Sequence, residues 1–262
     1  MSTSYDPHRS GDFIQSLERG LSVINSFSSE HPSQTLSEVA NRSGLTRATS
    51  RRILLTLAEL GYVQQIGRIF SLTPKVLDLG YSFLSSFHVV ELAQSPMERL
   101  VDDVHESSSM SVLDGDEIVY VARVPTTRIM TIALALGSRL PAYPTSMGRV
   151  LLAGIGDDLL DEYIERTNFE RLTPHTVTDR KRFRSVVRQV RSDGYALVDQ
   201  ELEEGVRSIA APIWNGRGDV IAAMNVSCHA SRVDVERMRR EFRPRLLEAA
   251  ADISERARSL PL

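Results

Sequence analysis

Residues 35–61 read as two short helices joined by a glycine turn. Thr35 stands as an N-cap before Leu36, a short helix carries Val39 and Ala40, Ser43-Gly44-Leu45 interrupts it, and Thr46 caps a second helix. On that second helix Ser50, Ile53, Leu54 and Leu57 recur at i, i+3, i+4, i+7 and form the face to be buried, with Arg47, Ala48, Arg51 and Arg52 opposite. From Arg42 through Ala58 there are four arginines and no carboxylate. Over the whole 262-residue chain, 31 Lys and Arg stand against 34 Asp and Glu, a net charge of −3. A cationic coat is therefore excluded, and positive charge is concentrated on one helix. Such a helix fits the major groove of B-DNA, where arginine's paired donors match guanine O6 and N7 or phosphate oxygens. The small Ala48 and Thr49 allow close approach to bases, including a thymine methyl.

The next run, Tyr62 to Leu72, alternates apolar and polar positions around Gly67 and predicts a β-hairpin with Arg68 near its tip, the wing of a winged helix-turn-helix. A solvated amphipathic helix followed by a solvated hairpin would use similar residues. Helix order, glycine turn, charge asymmetry and hairpin together favour the nucleic-acid reading. The expected DNA-contacting set is Arg47, Ala48, Thr49, Arg51, Arg52 and Arg68. Thr73-Pro74 then opens a helical pattern through Val76, Leu77, Gly80, Phe83 and Leu84, read as a linker.

Beyond Val89 the pattern mixes helices and strands. A helix to His105 precedes an Asp114-Gly115 hairpin joining strands at 109–113 and 118–124, and further strands are expected at 129–136, 195–199, 209–214 and 220–227. Helices are expected at 147–153, 159–166, 181–192 and 233–258. The fold class is α+β: a winged helix-turn-helix over 13–73, a linker helix over 74–88, and an α/β domain over 89–260 with a mostly antiparallel curved sheet.

Apolar and charged residues make up 42% and 25% of the chain, enough for more than one core. The longest strongly apolar stretch, Ile129 to Leu136, is too short to span a bilayer, so no membrane association is expected. Met1 to Asp12 is polar and unlike a signal peptide, and the single Cys228 suits a reducing compartment; a cytoplasmic location is expected. Cys228-His229 lacks the spacing of a metal site, and no Gly-x-Ser-x-Gly element supports His175 and Asp179 as parts of a hydrolytic triad. No metal, cofactor or catalytic residue is expected. The basic run from Arg180 to Arg191 lies on an amphipathic helix and reads as a solvated face.

These segments resemble the IclR-type bacterial transcriptional regulators. The resemblance rests on Gln15-Ser16-Leu17-Glu18-Arg19-Gly20-Leu21, on the helix pair and wing, on Leu140-Pro141-Ala142-Tyr143-Pro144-Thr145-Ser146-Met147-Gly148-Arg149, and on Asp199-Gln200-Glu201-Leu202-Glu203-Glu204-Gly205-Val206-Arg207-Ser208. It runs from about Gln15 to Arg258. Ser107 to Gly115, Val119 to Val124 and Arg128 to Met130 are most similar to the branch that regulates aromatic-acid breakdown through the β-ketoadipate pathway. The resemblance implies operator binding by a homodimer or homotetramer and a small organic-acid effector, with protocatechuate, 4-hydroxybenzoate and β-ketoadipate as candidates.

Carried over by motif, the resemblance implies effector contacts from Ser146, Met147, Asp199, Ser208, Asn225 and Ser227. In some relatives Ser208 is a cysteine and Asn225 a serine, so effector chemistry does not transfer directly. An acid calls for a guanidinium, and among Arg123, Arg128 and Arg149 the expectation is Arg128. The competing function is an enzyme acting on a small carboxylic acid, with the first domain as a docking module.

Overall fold

The computed structural model describes residues 12–28, 30–126 and 134–258. They form two compact units, one ending at Ser86 and the other beginning at Phe87.

The first unit contains α1 (Gln15–Asn25), β1 (Ser33–Thr35), α2 (Leu36–Ser43), α3 (Arg47–Glu59), β2 (Val63–Ile66), β3 (Ile69–Leu72), a 3-10 turn (Pro74–Val76) and α4 (Leu77–Ser86). Local chemistry sets the helix boundaries. The Thr35 side chain accepts from Glu38 N while the Glu38 carboxylate accepts from Thr35 N at 2.7 Å, a reciprocal cap that also holds the Glu38 carboxyl below its usual pKa. Gly44 closes α2 at φ +68°, a left-handed conformation that glycine adopts without strain, and Thr46 caps α3 through Thr49 N. Val23, Val39, Leu54, Leu57, Val63 and Phe70 form the core. The wing pairs Val63 with Leu72 and Ile66 with Ile69, leaving Gly67-Arg68 as the turn.

A third strand was not expected from the sequence. β1 pairs with β3, giving the order β1-β3-β2, and its central Gln34 is buried with Nε2 donating to Ser26 O at 3.0 Å. Three residues with a polar centre carry no readable alternation.

The second unit contains α5 (Val89–Val104), β4 (Ser107–Asp114), β5 (Glu117–Val124), β6 (Arg139–Pro141), α6 (Ser146–Gly154), α7 (Asp157–Arg166), α8 (Arg180–Asp193), β7 (Ala196–Asp199), β8 (Val206–Trp214), β9 (Val220–His229), α9 (Val235–Arg237), a π-helical turn (Met238–Phe242) and α10 (Arg243–Ala257). Six antiparallel strands run in the order β6-β5-β4-β9-β8-β7. One core gathers Tyr120, Met147, Leu152, Tyr163, Phe183 and Val187 between α6, α7, α8 and the sheet. Alternation along the strands points Ile209, Ala211 and Ile213 to the other face, where α10 meets α5 and β8.

Three details differ from expectation. Of the strand expected at 129–136, residues 129–133 lie outside the described residues and Leu134–Leu136 are not strand; β6 forms instead at 139–141. The single helix expected over 233–258 contains a π-turn ending just before Pro244, which has no N–H and whose ring would strike the carbonyl four residues back. β5 carries an extra residue: Met110 pairs with Ala122 but Ser111 with Tyr120, so Val121 is bulged.

Gly148 explains a close approach in the second unit. A Cβ there would lie 2.1 Å from the Ala142 carbonyl oxygen, which is backbone. Gly148→Ala is expected to destabilise this unit by about 1–3 kcal/mol through overpacking. Chemical denaturation followed by tryptophan fluorescence checks it, and an unchanged midpoint would mean that the loop before α6 yields freely.

Candidate functional sites

α3 is held by burial of Ser50, Leu54 and Leu57, which turns Arg47, Ala48, Arg51 and Arg52 outward and leaves Thr49 half-buried. Arg68 is exposed at the wing tip. Among the described residues none of these four guanidinium groups forms a salt bridge. That distinguishes them from the arginines of α8, where Arg184 pairs with Asp161 and both Arg188 and Arg191 pair with Asp157. Among the described residues the α3 face is cationic without local neutralisation, whereas three of the six basic residues of α8 pair with carboxylates of α7.

The first unit also exposes apolar surface: Ile14, Leu17 and Leu21 on α1, and Leu77, Leu79 and Tyr81 at and along α4. A groove of about 610 Å³ runs between α1, α3 and α4, with Leu17, Leu21, Ile53, Leu60 and Leu79 in its walls.

In the second unit a narrow cleft of about 40 Å³ lies over the sheet beside the start of α6. Its floor is polar: Ser107 and Ser109 from β4, Asn225 and Ser227 from β9, and Ser208 from β8. Tyr120 and Arg123 of β5 border it, as do Pro144 and Thr145, while Val198, Leu202 and Val206 supply apolar wall. Burial pushes the Tyr120 hydroxyl up to about 12, with Arg123 opposing the shift, so the phenol stays protonated at neutral pH.

Of the residues implied as effector contacts, Ser208, Asn225 and Ser227 line this cleft. Ser146 and Met147 open α6 but are buried and do not border it; Met147 Sδ accepts from Ser111 Oγ at 3.3 Å. The Asp199 carboxylate is held by Arg207 through two bonds of 2.8 and 2.9 Å, and Arg207 also donates to the carbonyls of Ala230 and Val233. Arg128 lies outside the described residues.

The three arginines considered for an acid therefore differ. Arg149 is buried in the fold: it pairs with Glu201 at 2.6 Å, donates to Tyr143 O and sits over the Phe183 ring. Arg123 reaches the cleft and donates one N–H to Leu134 O at 2.7 Å. Simple alternation would place Tyr120 and Arg123 on opposite faces of β5, but the bulge at Val121 brings both to the cleft side. A one-residue bulge leaves no mark in composition, so nothing local in the sequence put Arg123, one of the three candidates, on the cleft side.

Cys228 is fully buried, and desolvation pushes its thiol up to about 12, which makes it unreactive. Among the described residues no group of His, Cys, Asp and Glu could hold a metal ion, and no helix is long and apolar enough to cross a membrane.

Comparison with known proteins agrees with both halves. Residues 16–67 match the IclR helix-turn-helix domain, and residues 81–255 match the C-terminal domain of bacterial transcriptional regulator IclR. A Pca regulon regulatory protein from Pseudomonas putida is 44% identical over 92% of this chain and 84% of its own length. A transcriptional regulator from Rhodococcus, solved as a crystal structure, is 52% identical with a TM-score of 0.84, covering 94% of this chain and 98% of its own. A crystal structure of an IclR homologue from Microbacterium hydrocarbonoxydans complexed with 4-hydroxybenzoate is 25% identical with a TM-score of 0.82, over 92% of this chain and 98% of its own. With a helix-turn-helix unit and an antiparallel-sheet unit each matched by its own domain model, the chain belongs to the IclR family of bacterial transcriptional regulators.

Proposed function

We propose that this protein is an operator-binding regulator of aromatic-acid breakdown whose DNA affinity is set by a small organic acid in the cleft of its second unit. One observation carries the reading. The chain presents an arginine face on the second helix of a helix-turn-helix that is free of ion pairs among the described residues, and a small cleft bordered by a guanidinium. The related Pca regulon regulator and the 4-hydroxybenzoate complex of an IclR homologue support the aromatic-acid class.

The exposed apolar residues of α1 and α4 support self-association, as a dimer or a pair of dimers. Two α3 helices then enter successive major grooves about 34 Å apart, and the operator is an inverted repeat. Arg47, Ala48, Thr49, Arg51 and Arg52 face bases and phosphates, and Arg68 reaches the backbone from the wing. The acid acts as a switch only to the extent that it binds one arrangement of the DNA-binding units better than the other. Its pocket contacts are Ser208, Asn225 and Ser227. Nothing in this scheme requires a reaction, and the protein acts as a regulator without catalysis.

Fluorescence anisotropy with DNA from upstream of the protein's own gene, at fixed salt, tests the reading. The titration is run alone and with protocatechuate, 4-hydroxybenzoate or β-ketoadipate. Saturable, sequence-preferring binding shifted by one acid is expected. Binding indifferent to all three would remove the aromatic-acid assignment, and turnover of any of them would favour an enzyme.

A further inference from the structure

The polar groups of the cleft are arranged in a way that orients an acid within it, an inference that rests on the regulator reading above. Strand register sets Arg123 opposite Ser109 and Ser109 opposite Asn225, while Ser227, two residues further along β9, stands opposite Ser208, so the groups run diagonally across β5, β4, β9 and β8. With strands about 4.8 Å apart and a two-residue step of about 6.7 Å along the strand, the backbones of Arg123 and Ser208 are roughly 16 Å apart. Once the extended arginine side chain is allowed for, the gap suits one six-membered ring with a polar group at each end.

The two ends offer different chemistry. At the β5 end, Arg123 spends one N–H on Leu134 O and, among the described residues, forms no ion pair. Four further N–H groups are left for an anion. At the far end, the Ser109 amide donates to Asn225 Oδ1 at 3.1 Å, which fixes the side-chain amide so that Nδ2 donates to Ser227 Oγ at 3.0 Å. Ser227 accepts in that bond, so its own hydrogen is free to point into the cleft. The Ser208 hydroxyl, in a residue only 9% exposed, forms no hydrogen bond among the described residues. Neither serine carries charge, and a buried hydroxyl in want of a partner matches a neutral hydroxyl better than a second carboxylate.

We infer that Arg123 binds the effector's carboxylate while Ser208 and Ser227 bind a ring hydroxyl at its opposite end, so that the site selects a hydroxylated aromatic monocarboxylate. The rival anchor for the carboxylate is the start of α6, where Thr145 borders the cleft. Its Oγ1 already accepts from Gly148 N, and a helix terminus offers about half a charge against a full guanidinium charge.

Calorimetric titration of the full-length protein with 4-hydroxybenzoate, benzoate and 4-hydroxybenzamide separates the ends. Arg123→Gln is expected to weaken both acids at least about tenfold and to leave the amide within about threefold, since only the acids lose a charge-assisted pair. Ser208→Ala combined with Ser227→Ala is expected to bring 4-hydroxybenzoate down to the affinity of benzoate and to leave benzoate unchanged. Arg123→Lys, which keeps the charge, is expected to retain a preference for acid over amide, and it stands in if the glutamine variant does not fold. Retention of the full acid preference by Arg123→Gln would overturn the assignment and move the carboxylate to α6. Binding of none of the three compounds by the unaltered protein would instead sink the aromatic-acid reading itself, and this orientation with it.

Discussion

Replacing Glu201 with alanine is expected to destabilise the second unit by about 3–5 kcal/mol, the usual cost of stripping one partner from a buried ion pair. The Arg149 and Glu201 side chains are 3% and 10% exposed and meet at 2.6 Å. Glu201 Oε2 also accepts from Val177 N at 2.9 Å, and Thr176 Oγ1 donates to the Glu201 carbonyl. One carboxylate therefore joins α6, the loop at 173–178 and the loop that follows β7. Alanine would leave a guanidinium with no water and no counter-charge, and an unpaired amide beside it. Trp214, the only tryptophan in the chain, lies in this unit, so its fluorescence reports the urea transition without interference from the first unit. Glu201→Gln should fall between, because an amide oxygen in the place of Oε2 can accept both bonds but carries no charge. Replacing Arg149 and Glu201 together with apolar residues should recover much of the loss, since the larger cost lies in leaving a charge behind rather than in losing the attraction. An unchanged urea midpoint for the alanine variant would mean that water reaches the pair.

This pair also shows where reading from sequence gives out. Features fixed by neighbours in the chain were legible: Thr35 and Thr46 as caps, the glycine turn at Gly44, the wing around Gly67, and the Asp114-Gly115 hairpin. Each depends on a few residues and a local hydrogen bond. Features fixed across the fold were not. Arg149 offered itself to an acid because its partner is Glu201, far along the chain and invisible to any local pattern. Arg123 could not be placed at the cleft from sequence because the bulge at Val121 sets its face, and a bulge depends on what the neighbouring strand does. Asp199 resembled a ligand contact by motif, yet the β7–β8 register sets it directly opposite Arg207. β1 was missed because its pairing with β3 is its whole signal.

Alanine at Arg51 or Arg52 is expected to cost about 1–3 kcal/mol of operator affinity at each half-site if the side chain reads a base, and about twice that in a symmetric dimer. Alanine at Arg68 should behave differently. A wing-tip arginine that contacts phosphate neutralises charge without reading sequence, so its loss should weaken operator and unrelated DNA alike and lower the salt slope by about 1 per contact. The two classes therefore separate in one experiment: log affinity against log salt, on operator and on scrambled DNA, for each variant. The contrast follows from position. Arg51 and Arg52 stand on a helix fixed by the burial of Ser50, Leu54 and Leu57, which holds their backbone in register with a groove. Arg68 sits in a two-residue turn, outside any helix or strand, where a side chain can follow a phosphate but is poorly placed to enforce bidentate geometry on a base edge. If Arg51→Ala and Arg52→Ala lose operator and scrambled DNA equally, α3 contributes charge alone. Sequence would then have to be read by Arg47, Ala48 and Thr49 at the start of the helix, or through the shape of the DNA.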